Sequence, residues 1–384
     1  METKPRILVL SPSDLRADPR VFRQLSALRG GYRVTAAGYT DPSLDGVEFI
    51  ALAPRRRSWG VRFRRIALLL ARRFDRYYQQ LEFVVSAYAG LRSRQFDVVV
   101  ANDADSWPLG LDLRGRGRVL FDAHEYSPCE FEDVLWWRML FKPYKMDLCR
   151  RFLPRGDGWL TVCPGIAEEY EKVFEVRPRV VMNVPPRQKL APSPTDPRRV
   201  RMIHHGGATR SRKIENMIQL LDHLDDRFSL DLMLVPADAR YISELKTLAQ
   251  GRPRVRFLDP APMQEIPKRI NQYDLGLYLL EPNSFNNRHA LPNKFFEFIQ
   301  ARLAVAIGPS PEMARLVREY DIGTIAPDFR SKSLAAALCS LTAKQIQTWK
   351  QNAHRAADRL CWECESTVVL DEVQRLLTLG PCAA

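Results

Sequence analysis

Short apolar runs of strand length punctuate the chain. The first half holds Arg6–Leu10, Tyr32–Ala37, Phe96–Ala101, Arg118–Phe121 and Trp159–Val162. The second half holds Val200–His204, Leu230–Val235, Arg254–Leu258, Leu275–Leu280 and Ala304–Ile307. Runs this apolar predict strands buried on both faces, the habit of parallel sheets. Amphipathic stretches lie between them. Val21, Leu25 and Leu28 recur at helical spacing and Gly30-Gly31 closes that helix, so the chain opens as β-loop-α-β. Helices are also expected over PGIAEEYEKVF, around Met263–Tyr273, over PNKFFEF, across Leu334–Cys364 and at the C-terminus.

A chain of 384 residues exceeds one ordinary core and predicts two domains. The proline-rich, polar segment 186–199 reads as the linker, between a domain over 1–185 and one over 200–361. Hydrophobic content of 46% is that of a globular protein. No apolar run reaches the roughly 18 residues of a spanning helix, and the N-terminus reads as a first strand and not a signal peptide. Seven scattered cysteines fit reduced thiols in the cytoplasm. Cys361 and Cys364 form a lone C-x-x-C with no second pair, which argues against zinc.

Candidate chemistry gathers at loops that follow strands. Gly206-Gly207 allows a ligand to approach the backbone, and Arg210, Arg212 and Lys213 precede a helix, a combination suited to an anion. About eighty residues on (a spacing read from the sequence), a polar loop over 281–290 leads to Pro292 at a helix start, then Asn293, Lys294 and Glu297. Free N–H groups at such a junction favour phosphate. His124, flanked by Asp122 and Glu125, stands at the end of a strand, where a doubly wound sheet gathers functional groups. The glycine fingerprint of dinucleotide binding is absent, so NAD is not supported.

The segment NNRHALPNKFFEFIQARLAVAI resembles the nucleotide-binding segment of retaining glycosyltransferases of family 4, and DAHEY resembles their segment near the donor sugar and acceptor. The resemblance implies an α/β fold of GT-B type: two Rossmann-like domains facing a cleft, with a C-terminal helix, residues 362–384, crossing back to the first domain. It implies transfer of a sugar from a nucleotide diphosphate to an acceptor hydroxyl with retention, without metal or tightly bound cofactor. UDP-sugar is the favoured donor, with GDP-sugar as the other. Glu297 matches the ribose-binding glutamate. Gly206, Gly207, Arg210, His289, Leu291, Pro292, Asn293 and Lys294 are implied on the donor side, and His124, Arg212 and Lys213 in catalysis. His289 departs from the family, which often carries glutamate there. Asp18, Arg20, Asp122 and Glu125 are implied on the acceptor side, although Asp18 and Arg20 read equally well as a helix start.

The charge balance of +13 changes the picture of partners. Nine arginines fall between Arg55 and Arg76, with Trp59, Phe63, Ile66, Leu69, Leu70 and Phe74 among them. A basic amphipathic stretch with aromatic residues predicts docking to an anionic membrane. No nucleic-acid module surrounds it, and no nucleic acid is expected. The expected location is cytoplasmic, peripheral on the inner face of the plasma membrane, with a lipid-linked or polysaccharide acceptor in bacterial surface glycan assembly. Asp103 and Asp105 form a D-x-D, here read as a strand end and not a manganese site. Two other functions share the features: a sugar-nucleotide 2-epimerase of the same fold, and a catalytically silent, membrane-docked binding subunit of another transferase.

Overall fold

The computed structural model describes residues 4–54, 58–236 and 238–380. The chain forms two compact units. One runs to Met182 and adds Ser284–Asn286 and the chain from Glu365 on; the other comprises Asn183–Asn283 and Asn287–Cys364.

The first unit is built on a seven-stranded parallel sheet: β1 (Arg6–Leu10), β2 (Arg33–Gly38), β3 (Val47–Ala51), β4 (Val98–Asn102), β5 (Arg118–Ala123), β6 (Gly158–Thr161) and β7 (Arg179–Val180). Their order is β3-β2-β1-β4-β5-β6-β7. Ile7–Leu10 and Val98–Asn102 are fully buried, as continuous apolar strands require. The strand order reverses between β1 and β4, whose ends align through Leu10 and Ala101. Ligand crevices of open α/β sheets form at such a reversal, beyond the strands' C-terminal ends.

The second unit repeats the plan with six parallel strands: β8 (Val200–Ala208), β9 (Phe228–Pro236), β10 (Val255–Leu258), β11 (Leu275–Tyr278), β12 (Ala304–Ile307) and β13 (Gly323–Ile325). Their order is β10-β9-β8-β11-β12-β13, so the reversal falls between β8 and β11. The helix Asn293–Gln300 packs on this sheet through Phe295, Phe296, Phe298 and Ile299, all fully buried. Each such side chain contributes about 1.5–3 kcal/mol. Gly276 on β11 permits the packing, because a Cβ there would lie 2.2 Å from the Phe298 ring. That contact fixes where Lys294 and Glu297 stand.

The last helix, Trp362–Thr378, joins the first unit from Glu365. Glu365 accepts from the Met182 N–H at 2.7 Å, Glu372 pairs with Arg179 at 3.0 Å, and Arg375 donates to the Asp157 carbonyl at 2.7 Å.

Three stretches differ in detail from the pattern. Leu334–Cys364 is not one helix: Ser331–Cys339 ends, and Thr342 caps a new helix, Ala343–Ala356, by accepting from the Gln345 N–H. The basic stretch is also broken, into Trp59–Leu70 and Phe74–Tyr78, with Arg72 between them at φ 55°. Arg55–Arg57 lie outside the described residues. The segment 186–199 holds no helix or named strand, yet it is tied to the second unit. The Gln188 N–H donates to Gln300, Ser193 to the Asn271 carbonyl, and the Thr195 N–H to Gln347.

Candidate functional site

In the second unit, the site forms where β8 and β11 part. Gly206 and Gly207 lie near the end of β8, before Ala208, and Gly206 has φ +109°, a conformation that glycine adopts without strain. A Cβ on Gly206 would sit 3.1 Å from Lys294 Nζ, so the missing side chain leaves the space that the amine faces. Arg212 Nη1 would lie 3.8 Å from the same Cβ and donates to the Gly207 carbonyl at 2.8 Å. Lys294 lies in the first turn of its helix, beyond Pro292 at the N-cap. It is 6% exposed, its Nζ has no hydrogen-bond partner, and it lies 5.1 Å from the Tyr278 ring centroid. Burial, then the Arg212 charge, pushes its pKa well below the usual lysine range.

Glu297 sits three residues further along the same helix, 4% exposed. Its Oε2 is 3.5 Å from His205 Nε2. Burial and Lys294 hold His205 down to about 3, so this imidazole is neutral. His204, also buried, turns Nδ1 to the Leu277 carbonyl at 2.8 Å. His289 Nδ1 lies 3.2 Å from a Glu312 carboxylate oxygen, and Leu291 is buried at the loop's end. Two cations, a glycine turn and a helix N-terminus therefore converge on one small volume, beside a buried carboxylate.

The other two cations expected there turn elsewhere. Arg210 is bidentate to Glu244 at 2.6 and 2.8 Å, reaches Asp238 and stacks on Tyr241. Lys213, at φ 43°, pairs with Glu281. Of the three, Arg212 is the one that contacts the glycine turn.

In the first unit, a second group of polar residues stands at the ends of β4 and β5. His124 Nε2 lies 3.0 Å from Asn102 Oδ1, and its Nδ1 lies 3.2 Å from Asp103 Oδ2. Its backbone N–H donates to Asp103 Oδ1. Asp103 holds the imidazole from a backbone with φ 60° and ψ 159°, a strained conformation for a residue with a side chain. Asp122 and Arg20 lie beneath, at 0% and 2% exposure. Arg20 donates to both Asp122 oxygens, at 2.8 and 2.6 Å, and to the Val181 carbonyl. This pair is buried and internally satisfied, so neither side chain offers a surface to a ligand. Asp18 caps the helix Pro19–Leu28 by accepting from the N–H groups of Arg20 and Val21. Glu125 accepts from Asn286 at 3.3 Å, and burial raises its pKa well above the carboxylate range. Asp105, the second member of the D-x-D, is engaged by Lys145 at 3.4 Å. Among the described residues, no cluster of three or more His, Cys, Asp or Glu side chains is arranged to hold a metal.

Asn102 and His205 escaped the sequence reading. Their only signal was a polar residue in an apolar strand: Asn102 ends β4, as His124 follows β5, and His205 lies inside β8.

The comparisons meet these observations. Residues 22–186 match the model of Glycosyltransferase Family 4. The whole chain superposes on solved structures of the same two-sheet plan. It is similar to Anabaena Alr3699/HepE in complex with UDP and glucose, with a TM-score of 0.70, 14% identity, and 97% of this chain and 100% of that one covered. It is similar to WaaG, a glycosyltransferase involved in lipopolysaccharide biosynthesis, at TM-score 0.67 and 12% identity, covering 96% and 99%. It is similar to an E. coli trehalose-6-phosphate protein bound with UDP-2-fluoro glucose, at TM-score 0.68 and 11% identity, covering 98% and 100%. No curated protein sequence matches this chain. The fold is GT-B, with two Rossmann-like domains. The family-4 match covers residues 22–186, which include DAHEY but not the segment around Glu297.

Proposed function

We propose that this chain transfers a sugar, with retention, from a UDP-sugar to an acceptor hydroxyl. The observation that carries the reading is Lys294, a buried amine without a hydrogen-bond partner that stands with Arg212 against the space left by the missing side chain of Gly206. Such a group is costly until an anion arrives. A diphosphate supplies that anion. Arg212 and Lys294 hold it, the Gly206-Gly207 backbone lets it approach, and Glu297 accepts the ribose hydroxyls. Leu291, Pro292, Asn293 and His289 shape the sugar side. UDP is favoured because the complexes of HepE and of the trehalose-6-phosphate protein contain UDP or its sugars. GDP is the second candidate.

In the reaction the bond between the sugar's anomeric carbon and the diphosphate oxygen breaks, and a bond to the acceptor oxygen forms on the same face. The acceptor's proton passes to the departing phosphate oxygen. The two cations stabilise the charge that develops on the diphosphate, the part a metal would otherwise supply. His124, oriented by Asn102 and Asp103, hydrogen-bonds the reacting hydroxyls. Arg20 and Asp122 support that region from beneath, with Asp18 and Glu125 at its border.

The acceptor reading includes a membrane. The helix Trp59–Leu70 leaves Trp59, Phe63 and Leu70 more than 60% exposed among the exposed Arg62 and Arg64. Apolar side chains ringed by arginines suit an anionic bilayer, to which each arginine contributes on the order of 1 kcal/mol. No helix among the described residues is long and apolar enough to cross a membrane. On this reading the protein docks peripherally on the inner face, towards a lipid-linked or polysaccharide acceptor.

Thermal-shift titration with UDP, GDP, ADP and CMP, with and without EDTA, tests the donor. A nucleotide at about a hundred times its dissociation constant stabilises by roughly 2.7 kcal/mol. UDP should raise the melting temperature with or without EDTA, and Glu297→Ala should abolish the rise. No rise with any nucleotide would refute the reading. Binding without transfer to any acceptor would instead mark a silent binding subunit.

A further inference from the structure

The first unit contains a cavity of about 340 Å³ that the donor chemistry does not use. It lies between the loop after β4 and the helix Leu135–Phe152. Its walls are aromatic. Trp137 and Phe141 stand nearly parallel, with interplanar angle 17°, and Trp136 and Phe131 pack edge-on to them. Its floor is charged: Lys145 Nζ lies 2.9 Å from Glu130 and 3.4 Å from Asp105, and the Tyr144 hydroxyl lies 3.4 Å from Asp105. Lys145 is 6% exposed, whereas Trp136 at the rim is 58% exposed.

We propose that this pocket binds an uncharged pyranose ring of the acceptor glycan. Three features point to that class. Flat aromatic walls fit the C–H face of a sugar ring, and a carboxylate with an ammonium beside it supplies acceptors and donors for its hydroxyls. One cation against two carboxylates makes the floor a poor host for phosphate or another anion, which separates this pocket from the Lys294 site. The volume sits at the lower end of small-molecule pockets, about 300–1,000 Å³, too small for a nucleotide sugar. Asp105 also lies two residues from Asp103, which orients His124. The loop after β4 thus carries both Asp105 of the pocket floor and Asp103, which contacts the imidazole. A purely apolar ligand would leave the three charged groups of the floor desolvated without gain.

The inference rests on the transferase reading, and the test separates the two. Saturation-transfer NMR on the full chain, without nucleotide, uses methyl glycosides of glucose, galactose, mannose and N-acetylglucosamine, with glucose 1-phosphate and dodecyl maltoside as contrasting probes. At least one neutral glycoside should receive saturation on its ring protons. Trp136→Ala and Glu130→Gln should each weaken it about five-fold or more, while the UDP melting shift is unchanged. The proposal is overturned if protein that responds to UDP saturates none of the glycosides. It is also overturned if both variants bind as well as wild type, if glucose 1-phosphate binds best, or if only the alkyl chain of dodecyl maltoside is saturated. Glycoside binding without any UDP shift would leave the pocket standing and remove the donor reading.

Discussion

Each unit buries a cation at the reversal of its sheet, and the two are treated in opposite ways. Arg20, in the first, is fully occupied: two bonds to Asp122, one to the Val181 carbonyl, and Gln24 completing the carboxylate. Lys294, in the second, is equally hidden and has no hydrogen-bond partner at all. Burial costs both charges several kcal/mol. In the first unit the structure itself offsets that cost, and the pair becomes part of the scaffold. In the second the cost is left standing, which is sensible only where a ligand supplies the missing charge. A satisfied buried ion marks architecture; an unsatisfied one marks a site.

The comparison can be broken first at its architectural end. Asp122→Asn leaves Arg20 buried beside a neutral partner and should cost about 3–5 kcal/mol, read as a lower urea midpoint. Removing both charges, as Arg20→Met with Asp122→Leu, should recover much of that loss. If Asp122→Asn were neutral, the pair would not be holding the first unit.

Acid and base separate the two charges more gently. Burial pushes the Asp122 carboxyl up, but Arg20 outweighs it and the net pKa is lowered. Its stabilisation is therefore complete above the usual aspartate pKa of about 3.9 and is lost as pH falls through the lower folded value. Lys294 runs the other way. Its folded pKa is depressed, so between that value and the usual lysine value of about 10.4 the unfolded chain binds more protons, and stability rises with pH. Urea unfolding across the alkaline range should show that slope in the nucleotide-free protein and a reduced one in Lys294→Met.

The smallest effect belongs to the decoy. Arg210 is half-exposed in its pairing with Glu244 and Asp238, and such surface pairs contribute little to stability. Arg210→Gln should leave both the melting temperature and its shift with UDP close to wild type. A large loss of nucleotide binding would move the diphosphate away from Arg212.

Much of this was legible in the chain. The ten apolar runs all became strands, because a parallel strand buried on both faces leaves its composition as its signature. Gly206, Lys294 and Glu297 were singled out by a glycine pair and a proline-opened helix, and the fold brings Gly206 and Lys294 together. What the sequence did not distinguish was Arg210 from Arg212 and Lys213. Their directions are set by Glu244 and Glu281, dozens of residues away, and by the left-handed backbone at Lys213. The resemblance implied Arg20 and Asp122 on the acceptor side; only the fold shows that they face each other. The aromatic pocket was hidden for a related reason: Asp105 and Lys145 lie forty residues apart in the chain.

The most direct test is the melting temperature of wild type and Lys294→Met, each with and without saturating UDP. Without nucleotide the variant should melt at or above wild type, because a buried unpaired amine has been replaced by an apolar chain of similar length. With UDP, wild type should rise by several degrees and the variant should not. A variant that is less stable alone, or that rises with UDP as wild type does, would show that Lys294 is a structural residue and not the diphosphate's partner.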